Sequence, residues 1–291
     1  MIYNICSEAM SVAVNSKGAE LWSIQSADGT EYLWQGNEKY WRGRAPVLFP
    51  CVGRLPFGTY MIDGQEYPLG IHGFAKLSEF KCAEKEPDRL VLELSDSPET
   101  LAVYPRRFVF RIEFRLEGSS LIILYNVENK DEKTMYFGIG GHPGINVPLS
   151  SGSCFEDWYL EFEEGVRPLR VEFSPSCFVS GAECPYELSG GRRIELRHEL
   201  FDDDAIVLKN AGHTVTLGSS SSEKSVKLSF PQMDYIGFWH MPKTDAPYVC
   251  LEPWCSLPGF DGEKTVFENR RDYISLEPGE AYVNEWHLEI K

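Results

Sequence analysis

Five short stretches of this chain carry the side chains best suited to moving protons or holding a polar ligand. His142 lies in GGHPGIN and His72 in GIHGFAK, each beside glycine. Glycine admits unusual backbone angles and lets another group come close, so either ring can be aimed into a cavity. A turn histidine bonded to a nearby carbonyl is the plainer alternative. In PYVCLEPWCS, Glu252 follows a strand-like apolar run and precedes a proline. A carboxylate emerging from such a run resists ionisation unless it is hydrogen-bonded, which suits proton transfer. The alternative there is a carboxylate that simply accepts backbone N–H bonds. Arg54, at the end of the stiff apolar run in PVLFPCVGRLPFG that reads as a buried strand, offers a fixed fork of donors to a ligand, or else closes a rim salt bridge. FDDDAIVL places Asp202, Asp203 and Asp204 before another apolar strand, two of the three in a solvated turn.

Competing chemistry has no template here. There is no phosphate-binding glycine loop, no GxSxG elbow and no HExxH. The eight cysteines are scattered without metal spacing and read as reduced thiols, several of them core filler. What remains is proton transfer among histidine and carboxylate, with no cofactor and no metal expected.

A net charge of −16 with no lysine or arginine cluster argues against nucleic-acid and membrane-surface partners. The N-terminus lacks a basic stretch followed by an apolar one, and no run of roughly 18 apolar residues occurs. A cytoplasmic protein, monomer or homodimer, is the expectation.

The elements that must position these groups are strands. In RFVFRIEFRLEG, Phe108, Phe110, Ile112, Phe114 and Leu116 share one face and charged residues the other, the period of a half-buried strand. LIILYNVENK starts with a continuous apolar run, as a strand covered on both faces would. MIDGQEYPL and SADGTEYLW each carry an Asp-Gly hairpin signal. AYVNEWHLEI sets Tyr282, Trp286, Leu288 and Ile290 on one side. Only SPETLAVYP suggests a helix, of two turns, with Ser97 as N-cap and Pro105 as its stop. Hydrophobic residues at 43% supply a large core, and no linker divides the 291 residues. The expected fold is all-β, a large antiparallel β-sandwich, with residues 1–291 forming one domain.

Taken in order, APVLFPCVGRL, IHGFAK, YPRRFVFRIEF, GGHPGINVP, DDDAIVL and CLEPWCSLPGF resemble the aldose 1-epimerase (galactose mutarotase-like) family, and within it the branch related to LacX. The resemblance runs from about residue 45 to 262. It implies a β-supersandwich with a pyranose cleft on one sheet, and a reaction that interconverts the α and β anomers of an aldose by opening and reclosing the ring. Carried over, Glu252 is the catalytic base and His142 the catalytic acid, while Arg54, His72 and Asp204 bind substrate hydroxyls. The glycines around His142 would let the chain approach the sugar.

The chain departs from galactose mutarotases in having HGF at its first histidine and LEPW around the glutamate, so galactose itself is not implied. Phe74, Trp239 and Trp254 read first as core, with sugar stacking as the alternative. Arg42 and Arg44, in YWRGRAP, are either a solvated pair or a clamp for a phosphorylated aldose. Two rival readings stay open. One is a non-catalytic sugar-binding protein on the same scaffold. The other is a glycoside hydrolase, which would want two carboxylates astride the bond.

Overall fold

The structure, a computed structural model, describes residues 1–291. Its strands are antiparallel and gather into two principal sheets. The larger has nine strands, with Phe108–Glu117, Ser120–Asn129 and Ala281–Ile290 side by side within it. The smaller has six, running in space from Gly144–Asn146 through Tyr248–Trp254, Tyr235–Trp239, Ile206–Lys209 and Leu169–Phe173 to Val179–Pro185. Side chains of both sheets, Phe110 and Ile112 from one and Val249 and Leu251 from the other, belong to a single buried cluster of 65 residues. The sheets therefore form the two halves of a sandwich.

Local sequence explains the strands. Phe108–Glu117 alternates buried and half-buried along its length, as its period of two requires. Only the start of Ser120–Asn129 is covered on both faces, at Leu121, Ile122 and Ile123. Asp63 and Gly64 both take positive φ and turn Thr59–Ile62 into Gln65–Pro68, the backbone that an Asp-Gly turn supplies. The second Asp-Gly turn also forms, though beyond it the pairing shrinks to a bridge between Gln25 and Glu31.

Two expectations need correction. The helix is one turn, Pro98–Leu101, not two. Ser97 caps it, and the Thr100 hydroxyl accepts from the Ser97 N–H. The apolar run before Arg54 is buried but is no strand: Leu48 and Phe49 hold it by single bridges to Gly140 and Gly73. No helix is long and apolar enough to cross a membrane.

The six-stranded sheet has two unlike faces. From Tyr248–Trp254, Val249 and Leu251 enter the sandwich core, while Tyr248, Cys250, Glu252 and Trp254 emerge opposite. That second face carries the chemistry.

Candidate active site

Glu252 sits inside its strand rather than after it, paired in register with Gly237. A Cβ on Gly237 would press against both the Trp254 indole and the Glu252 side chain, so glycine there keeps room for the carboxyl. His142 lies on the segment running antiparallel to the same strand. The Gly141 N–H donates to the Pro253 carbonyl at 3.0 Å, and the Leu251 N–H donates to the Pro143 carbonyl at 3.0 Å. These bonds bring His142 Nε2 within 3.2 Å of Glu252 Oε2. Both residues are buried, at 8% and 2% exposure.

The glycines around His142 serve the protein's own packing, contrary to the expectation that they admit the sugar. A Cβ at Gly140 would lie 2.7 Å from Trp254, one at Gly141 2.8 Å from Trp286, and one at Gly144 3.1 Å from Trp34 and Trp41. Four tryptophans and the Pro253 carbonyl thus fix the backbone that carries the histidine. Next to it, Gly141, His142, Tyr125 and Trp286 help line a cavity of about 10 Å³, room for about one water. His142 Nδ1 and Trp286 Nε1 are both buried without a protein partner.

Burial dominates the electrostatics. It pushes the His142 pKa down to about 3, with the Lys76 charge acting in the same direction. It raises the Glu252 carboxyl well above its ordinary range, and the nearby Asp204 charge adds to the rise. The two shifts agree: Glu252 retains its proton, His142 stays neutral, and the pair carries no net charge.

His72 completes the inner wall, its ring 5.4 Å from that of His142 and nearly perpendicular to it. Its backbone has a positive φ, and the next residue must be glycine because a Cβ there would strike the Phe49 carbonyl at 2.1 Å. His72 Nδ1 accepts from the Gly53 N–H at 3.0 Å, and burial holds its pKa well below the ordinary value. A neutral ring that accepts at Nδ1 has its proton on Nε2. His72 is therefore set as a hydrogen-bond donor.

Arg54 Nη1 reaches Asp204 Oδ2 at 3.3 Å, the arginine side chain 47% exposed and the aspartate 25%. Of the three aspartates, Asp202 accepts from the Lys243 N–H and Asp203 is exposed, so Asp204 is the one that joins the site. All five residues singled out from the sequence meet in one place.

Beside Trp239, already offered as a stacking alternative, side chains join the site that were not anticipated. Trp41 lies 5.0 Å from the His142 ring, and Trp239 and Tyr248 pack beside it. Cys250, taken as filler, shares the face of Glu252, and its Sγ, His142 Nε2 or Nδ1 and a Glu252 oxygen all lie within 4.8 Å of one another. Alternation along YVCLEPW was the available signal. Phe74 packs against Phe49, Tyr104 and Phe108, and Trp254 against the glycines named above. Both belong to the packing, whereas Trp239 borders the site. Of the arginines offered as a phosphate clamp, Arg42 pairs with Glu38 at the surface, and Arg44 stacks on Trp22 and donates to the Trp22 carbonyl and Gln35.

Comparison with known proteins matches residues 1–289 to the family model for aldose 1-epimerase. The plasmid-encoded protein LacX of Lactococcus lactis subsp. lactis is 31% identical over 287 residues, covering 96% of this chain and 95% of its own. A galactose mutarotase related enzyme from Lactobacillus acidophilus superimposes with a TM-score of 0.95 at 32% identity, covering all of this chain and 97% of that one. A galactose mutarotase-like protein from Lactobacillus casei ATCC 334 also gives 0.95, at 28% identity over the whole of both chains.

Proposed function

Because the chain belongs to the aldose 1-epimerase family, we propose that it is a cofactor-independent mutarotase of a free aldose, with residues 1–291 working as one catalytic domain. The observation that carries this reading is the 3.2 Å contact between His142 and Glu252 in a buried site, with hydrogen-bonding groups arranged around it. A pure sugar binder needs hydroxyl partners and has no use for a buried imidazole and carboxyl set against one another.

The pyranose ring oxygen and the C1 hydroxyl share one carbon, so two groups almost in contact can address both. With sugar between them, the reacting form has Glu252 as carboxylate and His142 as imidazolium. Glu252 takes the C1 hydroxyl proton while His142 protonates the ring oxygen, and the C1–O5 bond breaks to give the open-chain aldehyde. Rotation about C1–C2 presents the other carbonyl face. His142 then takes the proton back as O5 attacks, and Glu252 returns its own to O1. Atoms and charge balance over the cycle, so no net proton is needed from water. Each proton-transfer group contributes ~10²–10⁴-fold in rate, and holding both in place adds an orientation term.

His72 Nε2–H, Arg54 and Asp204 hold the sugar's hydroxyls, with Arg54 and Asp204 nearer solvent. Trp41 and Trp239 border the reacting end with apolar surface. A free aldose is favoured over a phosphorylated one because Arg42 and Arg44 are engaged elsewhere.

The test is anomer exchange by NMR, following freshly dissolved α-glucose, α-galactose and glucose 6-phosphate with and without protein. Faster approach to equilibrium for a free sugar is expected. Binding without acceleration across a broad aldose panel would instead make this a sugar-binding protein.

A further inference from the structure

Cys250 has no part in the chemistry above, yet it stands two residues from Glu252 on the same face of the strand. We propose that His142, Cys250 and Glu252 form a reversible inhibitory site for a thiophilic divalent cation of the Zn²⁺ class. The binding claim rests on geometry alone, whereas the inhibition claim rests on the catalytic roles given to His142 and Glu252.

The three ligand types, imidazole, thiolate and carboxylate, are those zinc takes. Zinc bonds of ~2.3 Å to sulfur, ~2.0–2.1 Å to nitrogen and ~2.0–2.2 Å to oxygen, at tetrahedral angles, place ligand atoms about 3.3–3.6 Å apart. His142 Nε2 and Glu252 Oε2 already stand 3.2 Å apart. The full trio lies within 4.8 Å, so closing the set asks a movement of about an ångström of the cysteine. Cys250 packs among Trp34, Trp41, Trp239 and Tyr248, so the movement asks those rings to shift with it.

Charge also fits. One thiolate and one carboxylate neutralise a divalent ion, and a neutral assembly is the form a buried site tolerates. The Cys250 thiol and the Glu252 carboxyl release their protons to water as the ion enters. A fourth position stays open for water. A magnesium ion, which demands oxygen ligands and six-fold coordination, does not suit the set. The occupied site would have neither acid nor base available, so the ion acts as a brake and not as a cofactor.

The test uses Co²⁺ as a spectroscopic stand-in, titrated into the full chain under reducing conditions. A thiolate-to-cobalt charge-transfer band is expected that Zn²⁺ abolishes, that survives Cys184→Ser at an exposed thiol, and that is lost in Cys250→Ser. Cys250→Ala serves should the serine variant fold poorly. In the anomer-exchange assay, Zn²⁺ but not Mg²⁺ should slow the wild type, and a chelator should restore it. With each protein normalised to its own metal-free rate, Cys250→Ser should raise the inhibitory midpoint at least ~10-fold, the low end of what even an outer-shell partner is worth. A band unchanged by both Cys250 variants, or equal zinc sensitivity in wild type and variants, overturns the proposal. A Cys250-dependent band in a protein without mutarotase activity would keep the metal site and overturn the catalytic reading. Activity with no such band would do the reverse.

Discussion

Replacing Glu252 by glutamine separates what the side chain does for catalysis from what it costs the fold. The amide has the shape of the protonated carboxyl and can still meet His142 Nε2, now 3.2 Å from Oε2, so packing is kept and only the titrating proton is removed. Loss of a general base lowers the rate ~10²–10⁴-fold, or about 2.7–5.4 kcal/mol of barrier at 1.36 kcal/mol per tenfold. Stability should move the other way. Burial raises the folded-state pKa of Glu252 well above the ordinary 4.5. Between those two values the unfolded chain has given up a proton that the folded chain retains. The stabilisation from this group is therefore complete below 4.5 and is lost as pH rises through the folded value, at up to ~1.4 kcal/mol per pH unit. Glutamine has no such slope. Urea unfolding of both proteins from about pH 5 to pH 8 should show a variant whose advantage grows with pH, and anomer-exchange NMR should show that it has lost turnover while still binding sugar. Near-full activity would remove Glu252 from the mechanism. An advantage that stays flat with pH would refute the account of its buried, proton-retaining carboxyl.

His142→Asn should lower the rate by ~10²-fold or more, and an unchanged rate would make the histidine structural. Because burial takes His142 to about 3, the second proton enters the pair only in strong acid. The acid limb of kcat/KM is thus expected below the ~6.5 of an unperturbed histidine, and a limb at that value contradicts the buried, neutral His142. Gly141→Ala places a Cβ 2.8 Å from Trp286 and should cost about 1–3 kcal/mol in denaturant unfolding, whereas wild-type stability would mean the segment can move aside. Exhaustive chelation should leave mutarotation at its full rate, and a loss restored by a divalent ion would require a resident metal.

The antiparallel fold was legible in the sequence because period two survives translation into burial, most plainly along Phe108–Glu117. His72, His142 and Glu252 stood out because glycine and proline punctuate them, and those residues do govern the local backbone. The purpose of the glycines was not legible. Gly140 and Gly141 make way for Trp254 and Trp286, and those contacts depend on which strands become neighbours. Cys250 was missed for a related reason. A cysteine in an apolar run reads as filler until register shows which face it takes and that Gly144 stands opposite. Arg54 and Asp204 are 150 positions apart, and no local pattern announces that they meet.

The contact between His142 and Glu252 makes each of them the other's occupant when no sugar is present. Under the proposed reaction a pyranose would enter as a wedge, displacing a polar contact worth on the order of 0.5–1.5 kcal/mol net, or up to ~3 if the pair is charged. Every ligand therefore competes with an internal rival, and an affinity lowered by a factor of two to a hundred follows from ~1.4 kcal/mol per tenfold. Both anomers meet the same rival. The handicap falls equally on substrate and product, and closure of the pair behind the departing ring works as a spring that favours release. If the proposed reaction holds, such a site would suit an abundant sugar and rapid exchange better than the sequestering of a scarce one.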